Sequence, residues 1–541
     1  MGNVPKSALH SRIPLNLVTD PWLPVRRASG LCDHIRPAQI TESADPVMSL
    51  DWPRADFRVA SLEFLIGLLA TACPPEGHGA WRDGWEAPPD PDALDAAFGT
   101  IAHAFNLDGE GPRFLQDFED LVSDAEPIER LLIEAPGAST QRQNTDLLVH
   151  RGRVATLGRA AAAMALFTFQ SWAPAGGAGN RTGLRGGGPM TTLVRPGDRP
   201  SLWQQIWANV PQGEAPDLGD LPRILPWLAP SVTSEGARVV TPETAHPLQS
   251  WWGMPRRIRL DFSAGDAAAP CDLTGAADAV QVRSWRQRPR GANYAGWGRV
   301  HPLTPHYALK PATEYLPLHP QPGGVGYRHW LGLVMATPDG LRLPAKAIAT
   351  WRDSREIDAG GGRARLLAAG YDMDNMKARA FVESEMPLPA APDNATREAT
   401  DALATQLVVS ANQIAGLLRS AIRFALFSAG ATVKLEAELL STPRERLWEQ
   451  TEPLFFALLQ APPDTAPLNW LTQLRRIALA LFDEAAPMTP ENGGAAPRIS
   501  RARRNLVFAL LGYGKDGAAL FQTLGLPAVA AKPKTEKGKA A

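Results

Sequence analysis

The chain has 541 residues, of which 44% are apolar and 21% charged, and its formal net charge is −1. That length exceeds one hydrophobic core and predicts two or three domains of ordinary globular composition. The near-neutral charge excludes nucleic-acid binding by bulk attraction, so any such contact must come from local patches.

Met1 to Ser11 lacks the apolar segment of a secretory signal, and no apolar run is long enough to span a bilayer. A cytoplasmic location without a membrane partner is therefore expected. Cys32, Cys73 and Cys271 are far apart and form no CxxC pair, which argues against a disulfide framework and a cysteine zinc site.

After an N-terminal extension (residues 1–14), Leu15 to Val18 reads as a short strand broken at Asp20-Pro21, and Trp22 to Val25 as a second extended piece. Ser61 to Cys73 predicts a helix with an apolar stripe at Leu62, Leu65, Ile66, Leu68 and Leu69. Asp92 to Phe105 predicts another, with Pro91 near its first turn. Ala138 to Arg153 is a long polar stretch containing Gln143, Asn144, Thr145 and Asp146, and it reads either as a functional loop or as a surface excursion.

A helical run, Ala160 to Phe169, and a strand-like run, Met190 to Val194, flank the sequence GGAGNRTGLRGGG, residues 176–188. Seven glycines and two arginines fall in those thirteen residues. Glycine permits positive φ and close approach to bare amides, and successive amides make an anion-binding nest. An ordinary flexible turn is the competing reading.

Farther on, the alternation in PRRIRL (residues 255–260) predicts a strand with Arg257 and Arg259 on one face, toward solvent or a ligand. Between Val282 and Arg299, Arg283, Arg286, Arg288, Arg290 and Arg299 interleave with Trp285, Tyr294 and Trp297, with no acid from Arg283 to Arg299. Cations with aromatics suit nucleic acid or a protein neighbour. Trp330 to Val334 reads as a strand, and GYDMDNMKAR (residues 370–379) as a turn. That turn is either a plain one or a projecting tip that offers the Asn375 amide between two methionines.

Composition changes across Pro387, Pro389 and Pro392. Beyond them Glu398–Phe427, Glu445–Leu459, Pro467–Glu484 and Arg501–Leu511 have helical periodicity and short connections, as in an antiparallel four-helix bundle. The expected fold is α+β: a mixed, loop-rich domain over residues 15–388, a helical bundle over 389–527, and a disordered tail over 528–541.

Catalytic signatures are missing. Leu184-Arg185 follow Gly183 where a Walker loop needs lysine and a hydroxyl, and there is no HExxH, GxSxG or CxxC. Asp372 and Asp374 alternate without a third ligand close in sequence. Neither a metal nor a cofactor is expected.

Taken together, LNLVTDPWLPV, GNRTGLRGGGPMTTLV, WWGMPRRIRLDF, HPLTPHY, YRHWLGLV and GYDMDNMKAR, in that order, resemble the large subunit (CasA family) of the type I-E CRISPR surveillance complex Cascade, from about Leu15 to about Leu511. The resemblance implies a non-catalytic subunit that finds the protospacer-adjacent motif in double-stranded DNA and helps open the duplex. It assigns the glycine loop facing DNA to Gly176, Gly177, Ala178 and Gly179, and the wedge to Asp374, Asn375 and Met376. The basic contact falls near Arg290, with Arg288 as the close competitor and Arg181 and Lys377 nearby. Gln143, Asn144, Thr145 and Asp146 fall in the loop that touches the guide RNA. The implied partners are target DNA, the CRISPR guide RNA, other Cascade subunits including the small subunit, and the nuclease-helicase. Two further readings remain: a phosphate-handling enzyme built on the glycine loop, with Arg181 or Arg185 as its cation, and a pure assembly scaffold.

Overall fold

The computed structural model describes residues 13–146, 150–177, 179–266, 269–361, 363–427, 438–460, 464–488 and 494–529. The chain divides into two compact units, Met1–Val325 with Gly332–Leu388, and Gly326–Leu331 with Pro389–Ala541.

In the larger unit, helix α1 (Ala55–Ala72) is buried on nearly every side rather than along one stripe. Its Phe64 ring meets Trp22, Phe105, Phe114, Phe167 and Trp252 at centroid distances of 5.5–6.2 Å. The helix Arg159–Trp172 packs beside it, with Ser61 Oγ 3.6 Å from Met164 Sδ. Full burial traps two acids, and each has a cation: Glu63 pairs with Arg185 at 2.5 Å, and Asp56 with Arg54 at 2.7 Å.

Small antiparallel sheets surround this core. Strands β1 (Leu23–Arg27), β2 (Cys32–Ile35) and β3 (Val47–Leu50) form one, with β1 central. In a second, Val280–Arg288 pairs with Arg257–Ala264 along one edge and with two short bridging pieces along the other. In a third, the long hairpin Ala364–Asp374/Lys377–Leu388 takes Thr191–Arg195 as its third strand, in a register that sets Ala369 opposite Thr191.

Two sequence expectations of strands are corrected. Leu15 to Val18 is no strand, because the Asn16 side chain accepts from the Val18 and Thr19 amides and turns the chain, leaving one isolated bridge to Asn106. Trp330–Leu333 is a short helix following the turn Tyr327–His329, because a five-residue apolar run suits a buried helical turn as well as a strand.

The helical unit contains the four expected helices, as Asn394–Leu426, Glu438–Gln460, Ala466–Ala485 and Ala496–Leu510, and a fifth, Gly514–Thr523. The first begins where the Asp393 carboxylate accepts from the Thr396 amide at 2.7 Å, an N-cap that satisfies one of the free donors of the first turn. Leu407, Ile414, Leu418, Leu447, Phe455, Trp470, Leu474, Ile477 and Leu506 form its core. Gly326–Leu331 belongs to it, with the Tyr327 ring 4.6 Å from Phe455 and its hydroxyl 2.5 Å from Thr451 Oγ1. The tail from residue 530 lies outside the described residues. Among the described residues no helix is long and apolar enough to cross a membrane.

Candidate nucleic-acid interface

The helix Arg159–Trp172 is followed by Ala173 and Pro174, and the glycine run after them does two different things. In its first part the chain reverses tightly. The Gly176 amide donates to Asn180 O at 3.2 Å and the Asn180 amide to Gly177 O at 3.3 Å. Gly179 has φ +81°, a conformation that side chains rarely adopt. A Cβ at Gly177 would meet nothing within 4 Å, so the space beside this glycine is open. Ala178 lies outside the described residues.

Arg290 joins this reversal directly. Its amide donates to Gly179 O at 3.0 Å, its own φ is +63°, and its Cγ would lie 3.3 Å from a Cβ at Gly179. Its side chain is 63% exposed, and its guanidinium lies 3.5 Å from the equally exposed Glu235 carboxylate. An ion pair of that kind contributes little and is easily exchanged for another anion. Arg288 lies at the end of its strand opposite Arg257, and its guanidinium reaches Val122 O. Of the two cations that the sequence left in competition, Arg290 is the one bonded to the glycine loop. Arg181 is exposed, with Nε 3.5 Å from Ser234 Oγ, and the Ser234 amide donates to Arg290 O.

The second part of the run is packed. A Cβ at Gly183 would lie 3.0 Å from Ser171 O, at Gly187 2.6 Å from Pro174 Cα, and at Gly188 2.7 Å from Tyr371 O. Arg185 is fully buried against Glu63, Thr191 and Thr304. His301 Nε2 lies 3.5 Å from the same Glu63 carboxylate, and burial holds this histidine down to about 4. Arg185 is thus a core cation and not a phosphate ligand, which corrects its assignment in the phosphate-handling reading.

Gly188 fits against the root of the hairpin. There the Tyr371 hydroxyl is 2.5 Å from Asp56 Oδ2, and Arg379 clamps Asp372 across the strands at 2.7 Å. Asp372 is therefore committed to an ion pair rather than to a metal. Beyond this clamp Asp374, Asn375, Met376 and Lys377 are all exposed. Asn375 and Met376 form the two-residue turn, and Asn375 takes φ +59°, which asparagine tolerates better than most residues. The tip thus presents an amide next to a thioether side chain.

The polar stretch begins as a short helix, Ala138–Arg142, not as loop. Arg151 then gathers the loop beyond that helix, reaching Asp146 Oδ1 at 2.6 Å, Asn144 Oδ1 at 3.0 Å and Gln141 O at 2.9 Å. Hydrogen bonding to Arg151 lowers the Asp146 pKa. Gln143 and Thr145 stay exposed on this folded loop, while Leu147 to Val149 lie outside the described residues.

Two expectations about basic residues fail for the same reason, partners distant in sequence. Arg257 and Arg259 do not face solvent: Arg257 pairs with Asp117 at 2.6 Å and Arg259 with Asp120 at 2.9 Å. The aromatics of the 283–299 run point inward. Trp285 donates to Pro127 O, Trp297 donates to Val240 O, and the hydroxyl of the half-buried Tyr294 accepts from the Met254 amide. They are core rings, not platforms for bases, and Arg286 pairs with Asp261 from the neighbouring strand.

Sequence reasoning missed Arg256. It is 5% exposed, donates to Arg181 O at 2.6 Å and to Pro174 O, and lies over the Phe169 ring at 5.2 Å. The sequence signal was its place in the PRRIRL motif, one residue ahead of the strand. Among the described residues no group of three His, Cys, Asp or Glu side chains could hold a metal ion.

A family model described as CRISPR-associated protein Cse1 matches residues 16–481. Among solved structures, CasA of Thermus thermophilus is similar at 17% identity over 92% of this chain and 99% of its own, with a TM-score of 0.65. Thermobifida fusca Cse1 is similar at 18% identity over 95% and 98%, with a TM-score of 0.65. A chain of a CRISPR RNA-guided surveillance complex is similar at 16% identity over 92% and 100%, with a TM-score of 0.66.

Proposed function

The chain belongs to the Cse1 family of CRISPR-associated proteins, and from that premise we propose that it is the non-catalytic large subunit of a type I-E Cascade complex, which finds the protospacer-adjacent motif in double-stranded DNA and begins to open the duplex. The observation that carries this reading is the hydrogen bond from the Arg290 amide to Gly179 O, which joins an exposed cation to a glycine-rich reversal with open space at Gly177.

The minor groove is narrow and its hydrogen-bond code degenerate, so bare backbone at Gly176, Gly177 and Gly179 suits close approach with tolerance for several sequences. Arg290 supplies charge for phosphate or groove, and Arg288, Arg181 and Lys377 add local attraction that the neutral chain lacks. The Asn375 amide bonds exposed base edges, Met376 gives apolar contact to a base face, and Asp374 bounds the tip. Unstacking a step costs a few kcal/mol, which guide pairing and the new contacts offset. The loop from Gln143 to Asp146 meets the guide RNA. The helical unit docks neighbouring subunits, the small subunit among them, and the assembled complex recruits the nuclease-helicase.

The test is binding of the assembled complex to motif-bearing and scrambled duplexes at one stated salt concentration. Asn375→Ala and Gly177→Trp are expected to lose discrimination while assembly persists. Unchanged discrimination in both sinks the reading. Nucleotide hydrolysis lost on changing Arg181 would favour the phosphate-handling enzyme instead, and deletion of residues 389–541 separates DNA recognition from a scaffolding role.

A further inference from the structure

We infer that Arg256 is the positioning residue of the glycine loop, a buried guanidinium that ties the two ends of the loop together and keeps a positive charge beneath it. The inference rests on the DNA-reading role of that loop. Pro174 and Arg181 bracket the reversal at Gly176 to Asn180, and the Arg256 fork donates to the carbonyls of both. Its NH1 would lie 3.5 Å from a Cβ at Gly176, so it runs along the underside of the loop.

Arg256 is itself fixed on the core. Its amide donates to Gln170 Oε1 at 3.0 Å, its carbonyl accepts from Gln170 Nε2 at 2.9 Å, and its guanidinium covers Phe169. The loop is thus tied through one side chain to the last turn of the helix Arg159–Trp172. A planar fork with several fixed donors suits this task, and a lysine, with a single point charge, does not.

The charge has a second consequence. Arg256 forms no ion pair among the described residues, and burial alone lowers its pKa, to about 10. It therefore stays protonated at neutral pH. A buried cation without a counter-ion is costly, and buried charges are screened far less by salt than exposed ones. The negative charge missing here is the kind that a nucleic-acid backbone brings to the other side of the loop.

The experiment compares the assembled ribonucleoprotein carrying Arg256→Met, Arg256→Lys or Gly177→Trp, on motif-bearing and scrambled duplexes, with hydrogen exchange at the amides of residues 176–180. Arg256→Met is expected to lower the motif-to-scrambled binding ratio about tenfold and to speed exchange at those amides. Arg256→Lys is expected to restore binding to scrambled duplex but not the ratio, since it keeps the charge and loses the fork. A ratio unchanged in Arg256→Met, or one affinity loss shared equally by both duplexes, overturns the inference. Should Arg256→Met fail to assemble, Arg256→Lys decides: faster exchange at residues 176–180 supports the inference, and unchanged exchange overturns it. Discrimination lost in Gly177→Trp but kept in Arg256→Met leaves the DNA-reading role standing and removes only this inference. Discrimination kept in both removes the role itself.

Discussion

At Gly177 an added Cβ would meet no atom within 4 Å, whereas at Gly187, ten residues on, it would lie 2.6 Å from Pro174 Cα. The two parts of the glycine run are both glycine-rich, for opposite reasons. From Gly183 to Gly188 glycine is needed because protein backbone already fills the space, against Ser171, Pro174 and Tyr371. At Gly177 the space is open, while a Cβ at Gly176 would lie 3.0 Å from Asn180 Cβ and one at Gly179 3.3 Å from Arg290 Cγ, side chains rather than packed backbone. Composition marks a glycine-rich loop as special, and only the neighbours distinguish room kept for the protein from room kept for something else.

Stability measurements bear on that contrast, and the largest effect belongs to the packed part. Arg185→Met leaves Glu63 buried without its cation, which is expected to cost ~3–5 kcal/mol in thermal or urea unfolding. The double variant with Glu63→Gln should recover part of that loss. Gly187→Val forces a side chain into occupied backbone and should cost ~1–3 kcal/mol by the same measurement. A loss at Gly177→Ala equal to that at Gly187 would break the contrast outright.

A smaller effect comes from pH. The folded state holds His301 at about 4, below the ordinary 6.5, so its contribution to stability is complete above pH 6.5 and is lost as pH falls from there toward 4. A melting temperature that declines over this window in the parent, and declines less in His301→Gln, is expected. The smallest effect is at the bare tip: Gly177→Ala should change stability by less than ~0.5 kcal/mol while it reduces motif discrimination in a gel-shift assay.

Much of the helical unit was legible in the sequence because a 3.6-residue period survives wherever one face is buried and the other wet. Its first helix begins at Asn394, four residues before the expected Glu398, because the Asp393 cap lies ahead of the periodic stretch. The hairpin tip was legible as a turn, since asparagine at such a position has a local cause. Residues whose partners lie far away in sequence were not legible. The guanidinium of Arg256 is bonded to carbonyls of residues 174 and 181, Arg185 to an acid on helix α1, and Arg259 to Asp120. No local pattern reports such pairings. The interleaved arginines and aromatics of residues 283–299 misled for a related reason: on the strand Val280–Arg288 alternate side chains go to opposite faces and Trp285 took the inner one, while Trp297, beyond the strand, found Val240 O more than fifty residues earlier.

The hairpin is a beam fixed at one end. Its third strand stops at Ala369, and Tyr371 on Asp56 with Arg379 on Asp372 grips it just beyond. From Tyr371 to the turn at Asn375 runs only about 13 Å of strand. The stiffness of a cantilever falls with the cube of its free length, so an overhang this short resists bending. A push on Asn375 or Met376 is therefore passed into Asp56 and the start of helix α1, which anchors the aromatic core, rather than absorbed at the tip.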